Sequence, residues 1–310
     1  MITTERLTKR FGDNVAVDVL TLEVDRGEVF GFLGPNGAGK TTTVRMLSAL
    51  IGPTEGTAMV NGYDVRTQAM DVRRTVGVLT ETPGMYDRLS AEYNLRVYAE
   101  LYDVPDPDHA VQKYLTMLGL WERRKEPVGG FSKGMKQKLA IARALIHEPQ
   151  TVFFDEPTSG LDPAAARMVR EFIEELKTEG RTIFLTTHNL DEAERLCDRI
   201  GVMRGRLLAL DTPAALRARL FGQHVRIQIA GVSETHRAAV LGLPFVRDAR
   251  LSADALLVDV DQPEQHNPAL IAALVAAGAA IQYVQPAQAS LEDVYLELVH
   301  NGEGGGVSHA

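Results

Sequence analysis

The sequence predicts an α/β protein: a parallel sheet with helices on both faces, joined by an antiparallel β part, an inserted helical part and a smaller C-terminal α+β domain. Three observations predict it. The short, almost wholly apolar runs "VFGFL" from Val29, "TVFFD" from Thr151 and "TIFLTTH" from Thr182 read as strands buried on both faces. Helical patterns alternate with them, among them "AAARMVREFIEELKTEG", whose end is marked by Gly180. After about Arg219 the composition shifts, and a second set of strands and helices begins.

In chain order, "LTLEV" alternates as a strand, Asp25 to Gly27 turns, and the strand from Val29 runs into a glycine loop and a helix from about Lys40. The alternating "EGTAMVNGYDV" suggests antiparallel strands beside the parallel core. From Ala91 to about His147, "AEYNLRVYAELY" and "HAVQKYLTMLGL" space their apolar residues three and four apart, a helical subdomain inserted at about 85–148. The first domain is expected to end near 218. Beyond it come a strand ("HVRIQIAG"), a helix, two strands ("VRDARLS", "ALLVDVD"), a helix ("PALIAALVAAG"), a strand ("AIQYVQ") and a helix ("SLEDVYLELV"). That order suggests a small ferredoxin-like domain over 219–300. The ending "NGEGGGVSHA", 301–310, reads as a disordered tail.

A chain of 310 residues with 45% hydrophobic content can bury a substantial core. Its formal net charge of −8, with bases dispersed among acids, argues against a nucleic-acid binder. The one cysteine, Cys197, excludes an intramolecular disulfide and reads as packing in a reducing compartment. The longest apolar run, "ALIAALVAAGAAI", is too short to span a bilayer, and the N-terminus has no signal-peptide core. These features together suggest a cytosolic protein.

The chemistry begins at Gly34-Pro35-Asn36-Gly37-Ala38-Gly39-Lys40-Thr41, which matches G-x-x-x-x-G-K-[ST] between a predicted strand and a predicted helix. Glycines let backbone N–H groups converge on phosphate oxygens at the positive end of a helix dipole. Lys40 would reach the β- and γ-phosphates, and the Thr41 hydroxyl would ligate Mg²⁺. The loop alone says nucleoside triphosphate and leaves GTPases, kinases and motor ATPases open.

"TVFFDEPTSGLD" places Asp155 and Glu156 at the C-terminal edge of a buried strand, where ligands of open α/β sheets bind. Asp155 is placed to hold the Mg²⁺ shell, and Glu156 to orient or deprotonate the attacking water. His188 ends the neighbouring strand and could hydrogen-bond the γ-phosphate, although a lone histidine at a strand end also has an ordinary structural reading. Ser132 and Gly134 open the helix "MKQKLAIARAL". They make either a plain N-cap or a second anion site. One nucleotide does not need two such turns, so the economical reading has this one close over ATP held by another chain, in a head-to-tail homodimer.

Glycine loop, serine-glycine turn, "FFDEPTSGLD" and "TTH", in that order, resemble the nucleotide-binding subunit of ATP-binding cassette (ABC) transporters over about the first two thirds of the chain. The resemblance implies a P-loop NTPase fold and an ATPase using ATP and Mg²⁺. It makes Gly34 to Thr42 the Walker A loop and Val152 to Glu156 the Walker B strand with its catalytic glutamate. Phe131 to Met135 matches the signature, normally Leu-Ser-Gly-Gly-Gln; Ser159 to Asp162 matches the D-loop that crosses the dimer interface, and His188 the switch histidine. Phe11 matches the aromatic that stacks on adenine, in a setting that also suits an ordinary core residue.

Two positions depart from the pattern. Glu81 stands where the Q-loop glutamine is usual, keeping an oxygen for Mg²⁺ or its water but adding a charge. Lys133 replaces the first signature glycine. Both departures, with the ending "ASLEDVYLELV", resemble the branch that energises type-two exporters, including drug and antibiotic resistance pumps and sodium exporters. Transport needs a bilayer-spanning path, so the resemblance implies a separate membrane permease, with this subunit peripheral on the inner face of the cell membrane. The alternative is a soluble ABC ATPase acting on ribosomes or DNA, but the paired cassettes or long coiled-coil and zinc insertions of those branches are missing. A P-loop kinase or GTPase would leave the signature turn and "TTH" unexplained.

Overall fold

A computed structural model describes residues 1–80, 82, 84–221, 224–252, 254–287 and 295, with backbone alone at 218–221. The chain forms two compact units, Met1–Thr212 and a second beginning at Pro213. Sequence composition had placed the division at 218/219. The structure puts it ahead of α8 (Pro213–Phe221).

The first unit is built on a six-stranded sheet. Its apolar strands are β3 (Val29–Leu33), β6 (Val76–Leu79), β7 (Thr151–Asp155) and β8 (Thr182–Thr187), and β9 (Arg199–Arg204) and β10 (Arg206–Asp211) complete it. The order is β10-β9-β3-β8-β7-β6, parallel from β9 to β6, with β10 antiparallel on the edge. Every residue of β3, β7 and β8 is buried, as strands covered on both faces require. Phe184 of β8 is the hub of the apolar layer, its ring 5.2 Å from Phe30, 5.5 Å from Phe32 and 5.7 Å from Phe153.

A second, antiparallel sheet lies in the same unit. It comprises β1 (Ile2–Phe11), β2 (Asn14–Val24), β4 (Glu55–Val60) and β5 (Tyr63–Asp64), in the order β2-β1-β4-β5. Helix α1 (Lys40–Leu47) follows the glycine loop, and α2 (Ala69–Thr75) leads into β6. The helical part consists of α3 (Ala91–Leu101), α4 (Pro107–Met117) and α5 (Lys133–Leu145). Their starts are capped by Ser90, Asp106 and Ser132, each accepting a backbone N–H three residues on. Helix α6 (Pro163–Thr178) begins at the Asp162 cap with proline in its first turn and stops before Gly180 at φ 77°. Helix α7 (Leu190–Leu196) follows β8. Cys197 is buried and free, and a Cβ on Gly31 would lie 2.6 Å from its sulfur, so the thiol is packing.

In the second unit, β11 (His224–Ala230), α9 (Glu234–Leu241), β12 (Val246–Leu251), β13 (Ala255–Val260), α10 (Pro263–Ala276) and β14 (Ala280–Pro286) follow the expected β-α-β-β-α-β order. The sheet is antiparallel, ordered β12-β13-β11-β14. Its core joins Val225, Ile227 and Ile229 of β11 to Val240, Leu270 and Leu274 of the two helices. Helix α10 starts at Pro263, ahead of the Pro268 start expected from sequence, because two prolines precede the apolar stripe and the first opens the helix. The expected helix "SLEDVYLELV" and the tail 301–310 lie outside the described residues, apart from Tyr295. Among the described residues, no helix is long and apolar enough to cross a membrane.

Candidate functional site

The C-terminal ends of β3, β7 and β8 bring the predicted motifs to one edge of the parallel sheet. Between β3 and α1 the glycine loop turns on Gly37 at φ 82° and Gly39 at φ 95°, conformations that an L side chain resists. A Cβ on Gly39 would meet the Ala16 carbonyl at 2.3 Å, and one on Gly34 the Met203 carbonyl at 2.4 Å. Both glycines are therefore fixed by neighbouring backbone. The result is a row of main-chain N–H groups at the start of α1, the geometry that receives an anion.

The loop, with Phe11, Asn14, Val15, Ala16, Glu156, Ser159 and His188, lines a cleft of about 510 Å³. That volume is in the range of small-ligand sites. Pro35, Asn36, Gly37, Ala38, Gly39, Lys40, Thr41 and Thr42 all face it. Phe11 stands at its lip, 53% exposed, with Lys9 Nζ 5.2 Å from the ring centroid. The ring is not the core residue that was the alternative for this position.

Lys40 is the charged centre of the cleft. Its buried ammonium donates to the carbonyls of Gly34 at 2.6 Å and Pro35 at 3.2 Å, and lies 3.3 Å from Glu156 Oε1. The ion pair lacks hydrogen-bond alignment, leaving Oε1 without a hydrogen bond although buried. Glu156 Oε2 lies 2.7 Å from His188 Nδ1. The glutamate thus sits between lysine and histidine, its own side chain only 11% exposed.

Glu156 has φ 52°, a left-handed conformation that costs a non-glycine residue about 1–2 kcal/mol. Thr186, across the β7–β8 ladder, holds it there. The Glu156 N–H donates to the Thr186 carbonyl at 3.0 Å and lies 3.2 Å from its hydroxyl, and that hydroxyl donates to Asp155 Oδ1 at 2.5 Å. One threonine therefore fixes both neighbouring acids and turns them apart. Asp155, 2% exposed, lines with Thr41 a separate cavity of about 270 Å³.

Thr41 and Asp155 supply a hydroxyl and a carboxylate oxygen to that second cavity, the hard oxygen donors Mg²⁺ prefers. The third expected metal-site residue, Glu81, lies outside the described residues. No group of three or more acidic, histidine or cysteine side chains is gathered for a metal among the described residues.

Ser132, Gly134 and Asp162 are not among the residues lining the cleft of their own chain. Ser132 caps α5, accepting from Met135 N at 3.2 Å, and Asp162 caps α6, accepting from Ala164 and Ala165 N at 3.0 and 2.9 Å. The two turns are neighbours: a Cβ on Gly134 would touch the Ala165 methyl at 3.2 Å, and one on Gly160 would meet Lys133 Nζ at 2.2 Å. Buried Gln137 of α5 donates to the Pro157 carbonyl at 2.7 Å, tying that helix to the residue after Glu156. Asn14, Val15 and Ala16 carry no motif, and sequence reasoning missed them; Thr186 stands in "TTH", but no role was read for it.

Comparison with known proteins agrees with this geometry. The family model described as "ABC transporter" matches residues 17–159. The chain is 31% identical to the linearmycin resistance ATP-binding protein LnrL of Bacillus subtilis (strain 168), over 96% of this chain and 98% of that one. It is 34% identical to the bacitracin transport ATP-binding protein BcrA of Bacillus licheniformis, over 97% and 98%. It is 37% identical to a fluoroquinolones export ATP-binding protein of Mycobacterium tuberculosis (strain CDC 1551 / Oshkosh), over 91% and 87%. Among solved structures, it superposes on an ATP-binding subunit of an ABC transporter with TM-score 0.66 and 35% identity, covering 72% of this chain and 93% of the other. A nucleotide-free cassette from an ABC transporter gives TM-score 0.61 and 25% identity, covering 68% and 91%.

Proposed function

The chain belongs to the ABC transporter family as an ATP-binding, ATP-hydrolysing subunit, and we propose that it powers export through a separate membrane permease, with Glu156 and His188 as its hydrolytic pair. The observation that carries this reading is the placement of Glu156 in the phosphate-loop cleft, between Lys40 at 3.3 Å and His188 at 2.7 Å. The family relatives support the export assignment. They are named for different cargoes, linearmycin, bacitracin and fluoroquinolones, while their ATP-binding subunits remain alike. Cargo choice then belongs to the permease.

In this reading Phe11 stacks on adenine at the lip of the cleft, and the backbone from Gly34 to Thr42 wraps the phosphates. Lys40 transfers its ammonium from the Gly34 and Pro35 carbonyls and Glu156 to the β- and γ-phosphate oxygens. Thr41 and Asp155, with Glu81, would hold Mg²⁺, which neutralises charge developing on the phosphates when bound. Glu156, released from Lys40, accepts a proton from the attacking water. His188 keeps that carboxylate oriented and faces the γ-phosphate.

Ser132, Gly134 and Asp162 act on the partner subunit's side of a head-to-tail homodimer. Their absence from the lining of their own chain's cleft supports that arrangement, because a helix start suits a phosphate presented from outside. The subunit works on the cytoplasmic face of the membrane, docked through the helical part and the segment around Glu81.

The test is an affinity purification of the tagged protein from gently solubilised membranes of its own source. A multi-span protein recovered in stoichiometric amount is expected, and its identity names the cargo. A preparation rich in ribosomal or DNA-repair proteins, without any membrane protein, would overturn the permease assignment.

A further inference from the structure

Behind His188 and Glu156 lies a carboxyl group that the hydrolytic scheme does not use. Glu192, in the first turn of α7, is only 2% exposed. Its Oε2 accepts from Thr187 Oγ1 at 2.8 Å. That same hydroxyl accepts from the Asn189 N–H at 3.0 Å, and Asn189 Oδ1 accepts from the Glu192 N–H at 3.1 Å. Three hydrogen bonds therefore close a ring through the residues on either side of His188.

The imidazole itself has little packing to hold it. Its side chain is 56% exposed, yet Nδ1 reaches Glu156 Oε2 at 2.7 Å. Its aim must come from the backbone. Helix α7 needs no buried acid for its own start, because the Asn189 side chain already caps it. Burying a carboxyl is costly unless its hydrogen bonds do something in return. Burial pushes the Glu192 carboxyl up, the Thr187 and Thr158 hydroxyls and the Arg170 guanidinium oppose this, and the Glu156 charge adds to the rise. Thr158 approaches without giving Oε1 an aligned hydrogen bond.

We propose that Glu192 is a positioning residue for ATP hydrolysis, which through Thr187 and Asn189 sets the backbone that aims His188 at Glu156. The proposal rests on the assignment of His188 and Glu156 as the hydrolytic pair. Glu192 is buried and does not line the cleft, so its loss should act on turnover and spare binding.

Steady-state phosphate release is measured for Glu192→Ala, Glu192→Gln and Thr187→Val. Displacement of a reacting group by about 1 Å can cost on the order of 100-fold, so Glu192→Ala and Thr187→Val should lower kcat by roughly ten- to a hundredfold. The KM for ATP should stay within about twofold of the parent, since no ground-state contact is lost. Glu192→Gln keeps the acceptor oxygen and the volume, and should recover most of the rate. If Glu192→Ala does not fold, Thr187→Val, which conserves shape, and Glu192→Gln still decide the matter. A kcat unchanged in Thr187→Val, or Glu192→Gln as slow as Thr187→Val, overturns the proposal. His188→Ala and Glu156→Gln are run alongside. Wild-type turnover in those two would remove the hydrolytic pair itself, whereas their loss of turnover beside an unaffected Thr187→Val would remove only the role of the ring.

Discussion

Gly39→Ala tests the construction of the phosphate loop. Gly39 sits at φ 95°, immediately before α1, and a methyl there would approach the Ala16 carbonyl to 2.3 Å, the Met203 Cε to 3.0 Å and the Val17 Cγ2 to 3.2 Å. Ordinary contact begins near 3.4 Å, so loop and strand must part by 3.4 − 2.3 = 1.1 Å. The carbonyl belongs to the bulged residue of β2, and the ladder pairs flanking the bulge, Arg10↔Val15 and Lys9↔Val17, limit how far it can move. Left-handed backbone costs an L-residue about 1–2 kcal/mol and overpacking typically about 1–3 more. The control is Gly37→Ala, at φ 82° with nothing within 4 Å of its added Cβ, which carries the first cost alone. Urea unfolding should therefore find Gly39→Ala less stable than Gly37→Ala by about 1–3 kcal/mol. Lys40 and Thr41 adjoin the displaced residue, so calorimetry should also show ATP affinity falling on the order of 100-fold. Equal stability of the two alanine variants, or unchanged ATP binding by Gly39→Ala, would refute the reasoning.

Two further substitutions probe other parts of the account. Glu148 joins α4 to the sheet through Lys113 Nζ at 2.6 Å and through Arg181; burial works against its charge, but hydrogen bonds from Lys113 and Arg181 hold its carboxyl down at about 2. Its side chain is 49% exposed, so after screening Glu148→Gln should cost about 1 kcal/mol at pH 7. Because the folded value is depressed, that contribution is full above the ordinary 4.5 and is lost as pH falls through about 2. The gap in urea midpoint between wild type and Glu148→Gln should narrow from pH 7 to pH 3 and close only near pH 2, and a gap independent of pH would count against the ion pairs. Phe11→Ala should weaken ATP binding by about fivefold, the equivalent of about 1 kcal/mol of base stacking, and leave the melting temperature unchanged because the ring is at the lip of the cleft.

The elements legible from sequence were those whose burial imposes a simple pattern. Strands β3, β7 and β8 are buried along their whole length and read as unbroken apolar runs. Strand β1 gave no such signal. Its pairing with β2 slips between Thr4 and Leu7, and Arg6 takes φ 49°, so the bulge breaks the two-residue alternation that would mark a strand. The edge strand β10 is half-buried from Leu207 onward and has no polar–apolar contrast to detect.

The site divides in the same way. Lys40, Glu156 and His188 stand in motifs whose spacing carries the chemistry, and the fold brings all three to one cleft. Thr186 stands in "TTH", but its role was not legible because it depends on register: only the pairing of β7 with β8 sets it opposite Asp155, where its hydroxyl can serve both acids. Asn14, Val15 and Ala16 reach the cleft through the antiparallel sheet, a tertiary placement without local signature. Ser132 read as an N-cap or an anion site and Asp162 as part of the D-loop match, and within its own chain each caps a helix.

The most direct test of the central claim is phosphate release by purified wild type and Glu156→Gln, with sedimentation of each in ATP and Mg²⁺. The account predicts a substitution that retains ATP, reduces turnover by on the order of 100-fold or more and accumulates as an ATP-bound dimer. Turnover equal to wild type, in a variant that binds ATP normally, would take Glu156 out of the reaction and contradict the account.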